Sequence, residues 1–358
     1  MTRTMQDINN GNILTLESMI SEARKISIVT HQKPDGDAMG SCTALYHFLK
    51  MCGKDSVRII LNDRYPEYLK FLTCDISEKD IIFFQEMQDT AEILIGDSDL
   101  IFCLDFNAFH RTDKMEHVLT ASKARKILVD HHLHPDRSVF DLSFSETEIS
   151  SASELLYQIL IRTSRITMDA TRLPHQSAVA LMTGMTTDTN NFGNSTYPST
   201  FLMASDLLSA GVDRDAILSQ LYNQYGENRL RLMGHMMKDL LTITDEGVAY
   251  IVLNKNDQQK YSVAEGDTEG FVNMPLSIAR VRMSILAKED NEKIRISIRS
   301  KKGTSANGCA RAYFNGGGHE NAAGGRLNMP DDISGVEAVA EYIERQTHIY
   351  LNQENENN

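Results

Sequence analysis

The stretch HQKPDGDAMGS, residues 31 to 41, places His31, Asp35 and Asp37 within seven positions, directly after the apolar run KISIVT. Imidazole and carboxylate are the donors of mixed nitrogen and oxygen metal sites. The same letters also spell a turn rich in Pro, Gly and Asp, or a helix N-cap, and the stretch alone does not choose among the three. Related signals recur downstream. Asp105 closes the apolar LIFCLD, Asp130 with His131 and His132 closes KILVDHH, and Asp188 follows VALMTGMTTD. Singly, Asp105 is as good a helix cap as a ligand, and the histidine pair divides as easily between core and surface. Their common position at the ends of apolar segments is what favours one shared site.

Carboxylates and imidazoles crowded into one crevice repel one another unless cations join them. Mixed donors suit Mn, Co or Zn better than Ca, and no cysteine adjoins the cluster, which argues against a thiolate zinc site. There are more donors than one ion takes. The expected arrangement is therefore a pair of divalent ions ~3.5 to 4 Å apart, a geometry suited to phosphoester hydrolysis.

A second chemical signal lies in FNGGGHENAAGG, residues 314 to 325, where Gly316, Gly317 and Gly318 precede His319. Such a run leaves the backbone open to a phosphate, as a nest of amides requires, or else forms a flexible hairpin. Upstream, IRSKK offers Arg299, Lys301 and Lys302. Arginine suits a bidentate phosphate grip, although charges on a solvated edge strand read the same way.

The elements that must position these residues alternate in type. KISIVT (25 to 30), SVRIIL (56 to 61), DLIFCLDF (99 to 106) and RKILVDHH (125 to 132) are apolar enough for strands buried on both faces. Residues 37 to 54 and 108 to 123 have helical spacing between them, so the pattern predicts a parallel, doubly wound α/β sheet. Ligands of such sheets bind at the carboxyl ends of the strands, where the candidate donors fall. Residues 150 to 242 read as mainly helical. Strand-like alternation then resumes at 247 to 254, 280 to 290 and 292 to 301, before a final helix over about 334 to 351. The chain is accordingly divided into a metal-binding domain over 10–195, a helical linker over 196–242 and a smaller α/β domain over 243–350.

At 358 residues, two domains are the default expectation, and a net charge of −13 argues against sequence-independent binding of long duplexes. The 5 cysteines form no C-x-x-C pair. They read as reduced residues of a cytoplasmic protein. The N-terminus MTRTMQDINNGNIL lacks the charged-then-apolar order of a signal peptide, and no apolar run is long enough to span a bilayer.

Taken together, HQKPDGDAMGS, LDF, DHHLHP, TDTNNF and GGGHENAAGG resemble the motifs of the DHH phosphoesterase superfamily, with the second region similar to its DHHA1 domain. The resemblance runs from about residue 10 to 345 and is nearest the nanoRNase/pAp phosphatase type. It implies an active site in an interdomain cleft and two ions, with Mn2+ expected. One would be held by His31, Asp35 and Asp105, the other by Asp37, Asp105, His131 and Asp188. His132 would face the scissile phosphate, with Asp130 orienting His131 from behind. Arg299, Gly317, Gly318 and His319 would hold the terminal phosphate or nucleotide. The family loop usually carries a further glycine where this chain has Asn315, a residue that tolerates left-handed backbone.

The resulting expectation is an enzyme that trims short single-stranded oligonucleotides to mononucleotides and also dephosphorylates 3'-phosphoadenosine 5'-phosphate. A cyclic or linear dinucleotide phosphodiesterase is the alternative, with inorganic pyrophosphatase or polyphosphatase and a non-enzymatic metal-binding module as further readings. Neither a membrane nor a long duplex is an expected partner. A homodimer is compatible with the apolar helical region, as is ordinary core packing.

Overall fold

The computed structural model describes residues 7–223, 226–264, 266–291 and 293–357. Residues 1–6 of the stretch read against a signal peptide, 224 and 225 of the expected linker, and 292 of an expected strand lie outside them. The chain divides into two compact units, Met1–Gln224 and Tyr225–Asn358.

The first unit is built on six strands: β1 Lys25–Thr30, β2 Ser56–Leu61, β3 Ile81–Phe83, β4 Leu100–Leu104, β5 Arg125–Asp130 and β6 Leu142–Ser145. They form one sheet in the order β3-β2-β1-β4-β5-β6, parallel at every pairing. This is the doubly wound order, and its direction of winding reverses between β1 and β4. The helices are α1 Asn10–Glu22, α2 Gly36–Met51, α3 Gln88–Gly96, α4 Glu116–Ala121, α5 Ala152–Leu160, α6 His175–Asp188, α7 Pro198–Ser209 and α8 Arg214–Tyr222.

Strand periodicity distributes the core over two faces. Ile26, Ile28, Phe102, Leu104, Ile127 and Val129 pack with buried residues of α1, α2, α5 and α6. Val29, Ile101, Cys103 and Leu128 point the other way, against Ala91 and Ile95 of α3 and Leu119 of α4. Because both faces are covered, β1, β4 and β5 read as continuous apolar runs rather than alternating ones.

The helix expected over 108 to 123 is interrupted. Residues Phe109–Met115 form 3₁₀ turns, with Asp113 at φ 51°, and only Glu116–Ala121 is α-helical. With ψ at −114°, this backbone lies outside every helical region, so the chain breaks there. The short β3 and β6 were not expected from the sequence.

The second unit contains α9 Glu227–His235, β7 Thr242–Ile243, β8 Val248–Leu253, α10 Lys255–Lys260, β9 Met283–Asp290, β10 Lys293–Ser300, α11 Ala306–Tyr313, β11 Gly317–His319, β12 Ala322–Asn328 and α12 Val339–Asn357. Its sheet runs β11-β12-β10-β9-β8-β7, with β8 and β9 parallel and the other pairs antiparallel. Within the span expected to link the domains, α7 and α8 fall in the first unit and α9 in the second. Among the described residues, no helix is long and apolar enough to cross a membrane.

Candidate metal centre

His31 follows β1, Asp105 follows β4, and Asp130 ends β5 with His131 directly after it. The three neighbouring parallel strands therefore deliver these side chains to one rim, at the point where the winding reverses, which is where open α/β sheets bind ligands. Two helices complete the set. Asp37 lies in the first turn of α2, and Asp188 is the last residue of α6.

The two helices reach the rim together because they cross at glycines. A Cβ on Gly40 would lie 2.6 Å from the Ala180 carbonyl oxygen and 2.9 Å from Gly184 Cα, and one on Gly36 would lie 2.7 Å from Thr187 Cβ. A glycine inside a helix costs about 1 kcal/mol relative to alanine. Here the close approach requires it.

Three groups of donor atoms result: His31 with Asp35 and Asp105; Asp37 with His131 and Asp188; and Asp105 with His131 and His132, each within 4.8 Å. His31 Nε2 stands 3.4 Å from Asp105 Oδ2 and 3.8 Å from Asp35 Oδ1. His131 Nε2 stands 3.5 Å from Asp105 Oδ1, 3.6 Å from Asp188 Oδ2 and 4.0 Å from Asp37 Oδ2. Two donors ~2.0 to 2.2 Å from one ion can be at most ~4.3 Å apart, so every one of these pairs fits a common ion. Asp105 Oδ1 is also buried without a hydrogen-bond partner. A carboxylate oxygen so placed needs a cation, and the oxygen and nitrogen donor set fits a borderline divalent metal.

The backbone is committed to this arrangement. Asp105 has φ 62°, a left-handed conformation that an ordinary residue adopts only under constraint. Asp35 accepts from the amides of Asp37 and Ala38 at 3.0 and 3.1 Å. It is thus the N-cap of α2 and a donor facing His31 at once, so the cap and metal readings of PDGD are compatible.

Protonation follows from burial and proximity. Burial and the Asp105 charge push the Asp37 carboxyl up to about 7. Burial works against a charge on His131, but Asp105 and Asp188 outweigh it and raise the imidazole to about 10. For His31 too, burial opposes the charge while Asp105 and Asp35 hold it well above its usual value. Burial likewise raises Asp188 well above the carboxylate range, opposed by His131 and reinforced by Asp37 and Asp105. In the protein without metal, protons occupy the place of cations.

Asp130, expected to orient His131, is bonded to the residue after it: its Oδ1 lies 2.7 Å from His132 Nδ1, and its Oδ2 accepts the His132 amide at 3.1 Å. Both rings still adjoin Asp105, His131 Nε2 at 3.5 Å and His132 Nδ1 at 3.8 Å from its Oδ1.

The helix expected from Ser151 is α5, but the tie between its first turn and Asp37 was not expected. Asp37 Oδ2 accepts the amide of Ala152 at 2.6 Å and Oδ1 that of Ser153 at 2.9 Å. An S-x-x-E signature, Ser151 to Glu154, was available to mark that N-terminus.

Arg299, Gly317, Gly318 and His319 lie in the second unit. Arg299 of β10 and His319 of β11 are both register partners of Ala322 in β12, one on each side. Aligned residues of an antiparallel sheet share a face, so a guanidinium and an imidazole flank one methyl group. Burial lowers the Arg299 guanidinium below its usual value, and among the described residues it forms no ion pair; its Nη1 donates to the Ile298 carbonyl at 2.9 Å. The glycine run is strand β11 of a hairpin rather than an open nest. A Cβ on Gly318 would lie 2.5 Å from the Ala322 carbonyl and 2.8 Å from Ala323 Cα. Asn315 takes φ 46°, and its Nδ2 donates to Asp332 Oδ2 at 3.1 Å, so it fills a left-handed position without glycine.

Residues 25–185 match a family profile described as "DHH family, N-terminal domain", and 245–345 match the "DHHA1 domain". A protein of Bacillus subtilis named bifunctional oligoribonuclease and PAP phosphatase NrnA is 26% identical over 314 residues, 87% of this chain and 92% of its own. A Thermus thermophilus protein of the same name is 26% identical over 322 residues, 90% of each. A crystal structure described as an exopolyphosphatase-related protein from Bacteroides fragilis superposes with a TM-score of 0.89 at 38% identity, covering 98% of this chain and 99% of that one.

Proposed function

Since this chain belongs to the DHH phosphoesterase family and carries a DHHA1 domain after its DHH domain, we propose that it hydrolyses short single-stranded oligonucleotides to mononucleotides. It would also convert 3'-phosphoadenosine 5'-phosphate to AMP. The observation that carries this reading is Asp105, whose two oxygens face His31 on one side and His131 on the other at 3.4 and 3.5 Å. One carboxylate serving two donor groups is what a pair of ions requires.

In this assignment His31, Asp35 and Asp105 would hold one Mn2+, and Asp37, Asp105, His131 and Asp188 the other. Bound there, the ions would supply charge neutralisation at the phosphate oxygens and acidify a water. Asp130 fixes the His132 ring through Nδ1. The other ring nitrogen, Nε2, is therefore the one assigned to the scissile phosphate. Asp35 keeps its carboxylate still through the α2 cap, while Asp37 and Asp105 are buried. In the second unit, Arg299 and His319 flank Ala322 and are assigned the terminal phosphate or nucleotide, with Gly317 and Gly318 shaping the hairpin between them. A short substrate suits a chain with a net charge of −13 better than a long polymer does.

Product analysis with Mn2+ tests the reading on a labelled RNA pentamer, a dinucleotide, 3'-phosphoadenosine 5'-phosphate, cyclic di-AMP and pyrophosphate. Mononucleotides from the pentamer and dinucleotide, with AMP from the bisphosphate, are expected. Preferential turnover of cyclic di-AMP or pyrophosphate would keep the metal centre and replace the substrate.

A further inference from the structure

The first turn of α5 is accounted for amide by amide. A helix start leaves backbone N–H groups without intrahelical partners, and side chains normally take them. Here the Glu154 amide goes to Ser151 Oγ at 2.9 Å, the ordinary N-cap. The amides of Ala152 and Ser153 go instead to the two oxygens of Asp37, 115 and 116 residues away in sequence. Each Asp37 oxygen is thereby tied by one donor, which fixes the carboxylate plane and leaves its remaining lone pairs to the cluster.

What holds those two amides in place is a buried clasp. Glu154 reaches back past its own cap residue, and its Oε2 accepts the Ser150 amide at 3.2 Å, the Ser150 hydroxyl, and the Thr200 hydroxyl at 2.7 Å. Thr200 Oγ1 in turn accepts the Tyr197 amide at 3.0 Å, so the start of α7 is tied into the same point. Ser150, Glu154 and Thr200 are each 1% exposed or less. In a capping box the glutamate would bond to the amide of the cap residue itself. Shifting that bond by one residue to Ser150 pins the chain on both sides of the cap, and with it the direction in which the Ala152 and Ser153 amides point.

We propose that Glu154, with Ser150 and Thr200, is a positioning group for one of the two ion positions, that of Asp37, His131 and Asp188, acting through the α5 amides on Asp37. The His31, Asp35 and Asp105 position has no such dependence, because its α2 cap is local. The inference rests on the two-ion reading of the cluster, and an internal comparison between the two positions separates its failure from the failure of that reading.

The experiment is a Mn2+ titration of the full chain, following free Mn2+ by electron paramagnetic resonance, for wild type, Glu154→Gln, Thr200→Val and Thr200→Ser. Thermal unfolding in chelator is recorded alongside. Wild type is expected to bind two ions. Thr200→Val and Glu154→Gln should weaken one of them by about 10- to 100-fold, the range for groups that orient a ligand, and leave the other unchanged. Thr200→Ser, which keeps the hydroxyl, should restore wild-type binding. Equal weakening of both ions in step with thermal stability, or unchanged binding of both, would overturn the positioning role. Should Glu154→Gln not fold, Thr200→Val decides alone. A wild type that binds fewer than two ions would defeat the two-ion reading itself.

Discussion

Gly184 of α6 sits so close to Asp37 of α2 that a Cβ added to it would lie 2.9 Å from Asp37 Oδ1 while overlapping the Ser153 hydroxyl. Helix crossing and ligand placement are therefore the same contact. Gly184→Ala gains about 1 kcal/mol of helix propensity, but forcing a methyl into a full core costs about 1 to 3 kcal/mol. The Ser153 overlap puts this site at the upper end of that range. The variant is expected to unfold at a lower temperature than wild type in chelator and to bind Mn2+ more weakly, since the displaced groups are Asp37 and the α5 turn that holds it. Calorimetry with and without Mn2+ reads both effects. A variant as stable as wild type with unchanged Mn2+ binding would show that the crossing has slack.

Asp105 and His132 carry different loads, and their neighbours say how different. Asp105→Ala removes a carboxylate that faces both His31 and His131. Loss of turnover on every substrate is expected, by on the order of 10³-fold or more, together with loss of Mn2+ binding. His132→Ala should abolish turnover as well but leave ion binding nearly intact, because His132 is assigned to the phosphate. Asp130→Asn disturbs the ring orientation set at Nδ1 and the His132 amide bond, and a loss of about 10- to 100-fold is expected. Steady-state rates paired with a Mn2+ titration separate the three. Substantial activity in Asp105→Ala would refute the two-ion assignment.

His31, Asp35, Asp37, Asp105, His131 and Asp188 were legible as one group because a parallel sheet sends the ends of its apolar runs to one rim. β1, β2, β4 and β5 were legible for a related reason: buried on both faces, they are mostly apolar. β3 and β6 are three and four residues long, too short for periodicity to register. The hydrogen bonds of Ala152 and Ser153 to Asp37 span more than a hundred residues, and no local pattern encodes a partner so distant. The break at Asp113 is likewise invisible in a segment whose spacing is helical. The bond from Asp130 to His132 was not legible either, since both histidines follow the end of β5, where no strand periodicity says which of them a neighbouring side chain meets.

The charge crowding at the rim has a measurable cost. Asp188 lies beside His131 at 3.6 Å, and burial together with the Asp37 and Asp105 charges disfavours its ionised form. Without metal, Asp188→Asn removes one of these carboxylates and should stabilise the protein by about 1 kcal/mol, or about 2 to 4 °C for a domain of this size. With Mn2+ the order should reverse, since the variant loses a ligand and with it the stabilisation that bound metal confers. Melting curves at pH 8 in chelator and in Mn2+ make the comparison. A variant less stable than wild type in chelator would mean that Asp188 is held by favourable contacts rather than tolerated for its ligand role.

At the opposite rim of the sheet, Asp99 is purely structural. Its Oδ2 accepts the amides of Arg24 and Lys25 at 2.8 and 2.9 Å, joining the entrances of β1 and β4. Those bonds, the Lys25 amide foremost, hold its carboxyl below the usual range. A depressed pKa contributes stability that is fully present above the unfolded-state value and is lost as pH falls through the folded one. Charge-assisted hydrogen bonds contribute about 1.5 to 3 kcal/mol when shielded, and exposure reduces this to about 1 kcal/mol. Asp99→Asn should therefore lower the melting temperature at pH 7, and the gap should narrow only as the pH falls below about 4 through the lowered folded value, with turnover unchanged throughout. A gap that does not narrow at all between about pH 4 and the acid limit would assign the loss to shape rather than charge.

Arg299 separates gripping from chemistry. It is half-buried, forms no ion pair among the described residues, and shares a sheet row with Ala322 and His319. Desolvating a guanidinium without an anion is unfavourable, and a phosphate that accepts two of its N–H groups reverses the balance. Arg299→Ala should raise KM for oligonucleotides and 3'-phosphoadenosine 5'-phosphate by about 10- to 100-fold, the worth of one charge-assisted contact of about 1.5 to 3 kcal/mol. Arg299→Lys keeps the charge but not the planar fork, and should recover only part of it. Bis(p-nitrophenyl) phosphate has an activated leaving group and no terminal phosphate to grip, so its hydrolysis with Mn2+ should be spared in both variants. His319→Ala should behave like Arg299→Ala on the same pair of substrates. Equal losses on the nucleotide and the nitrophenyl ester would place both residues in the chemistry, or in the stability of the fold, rather than in the grip.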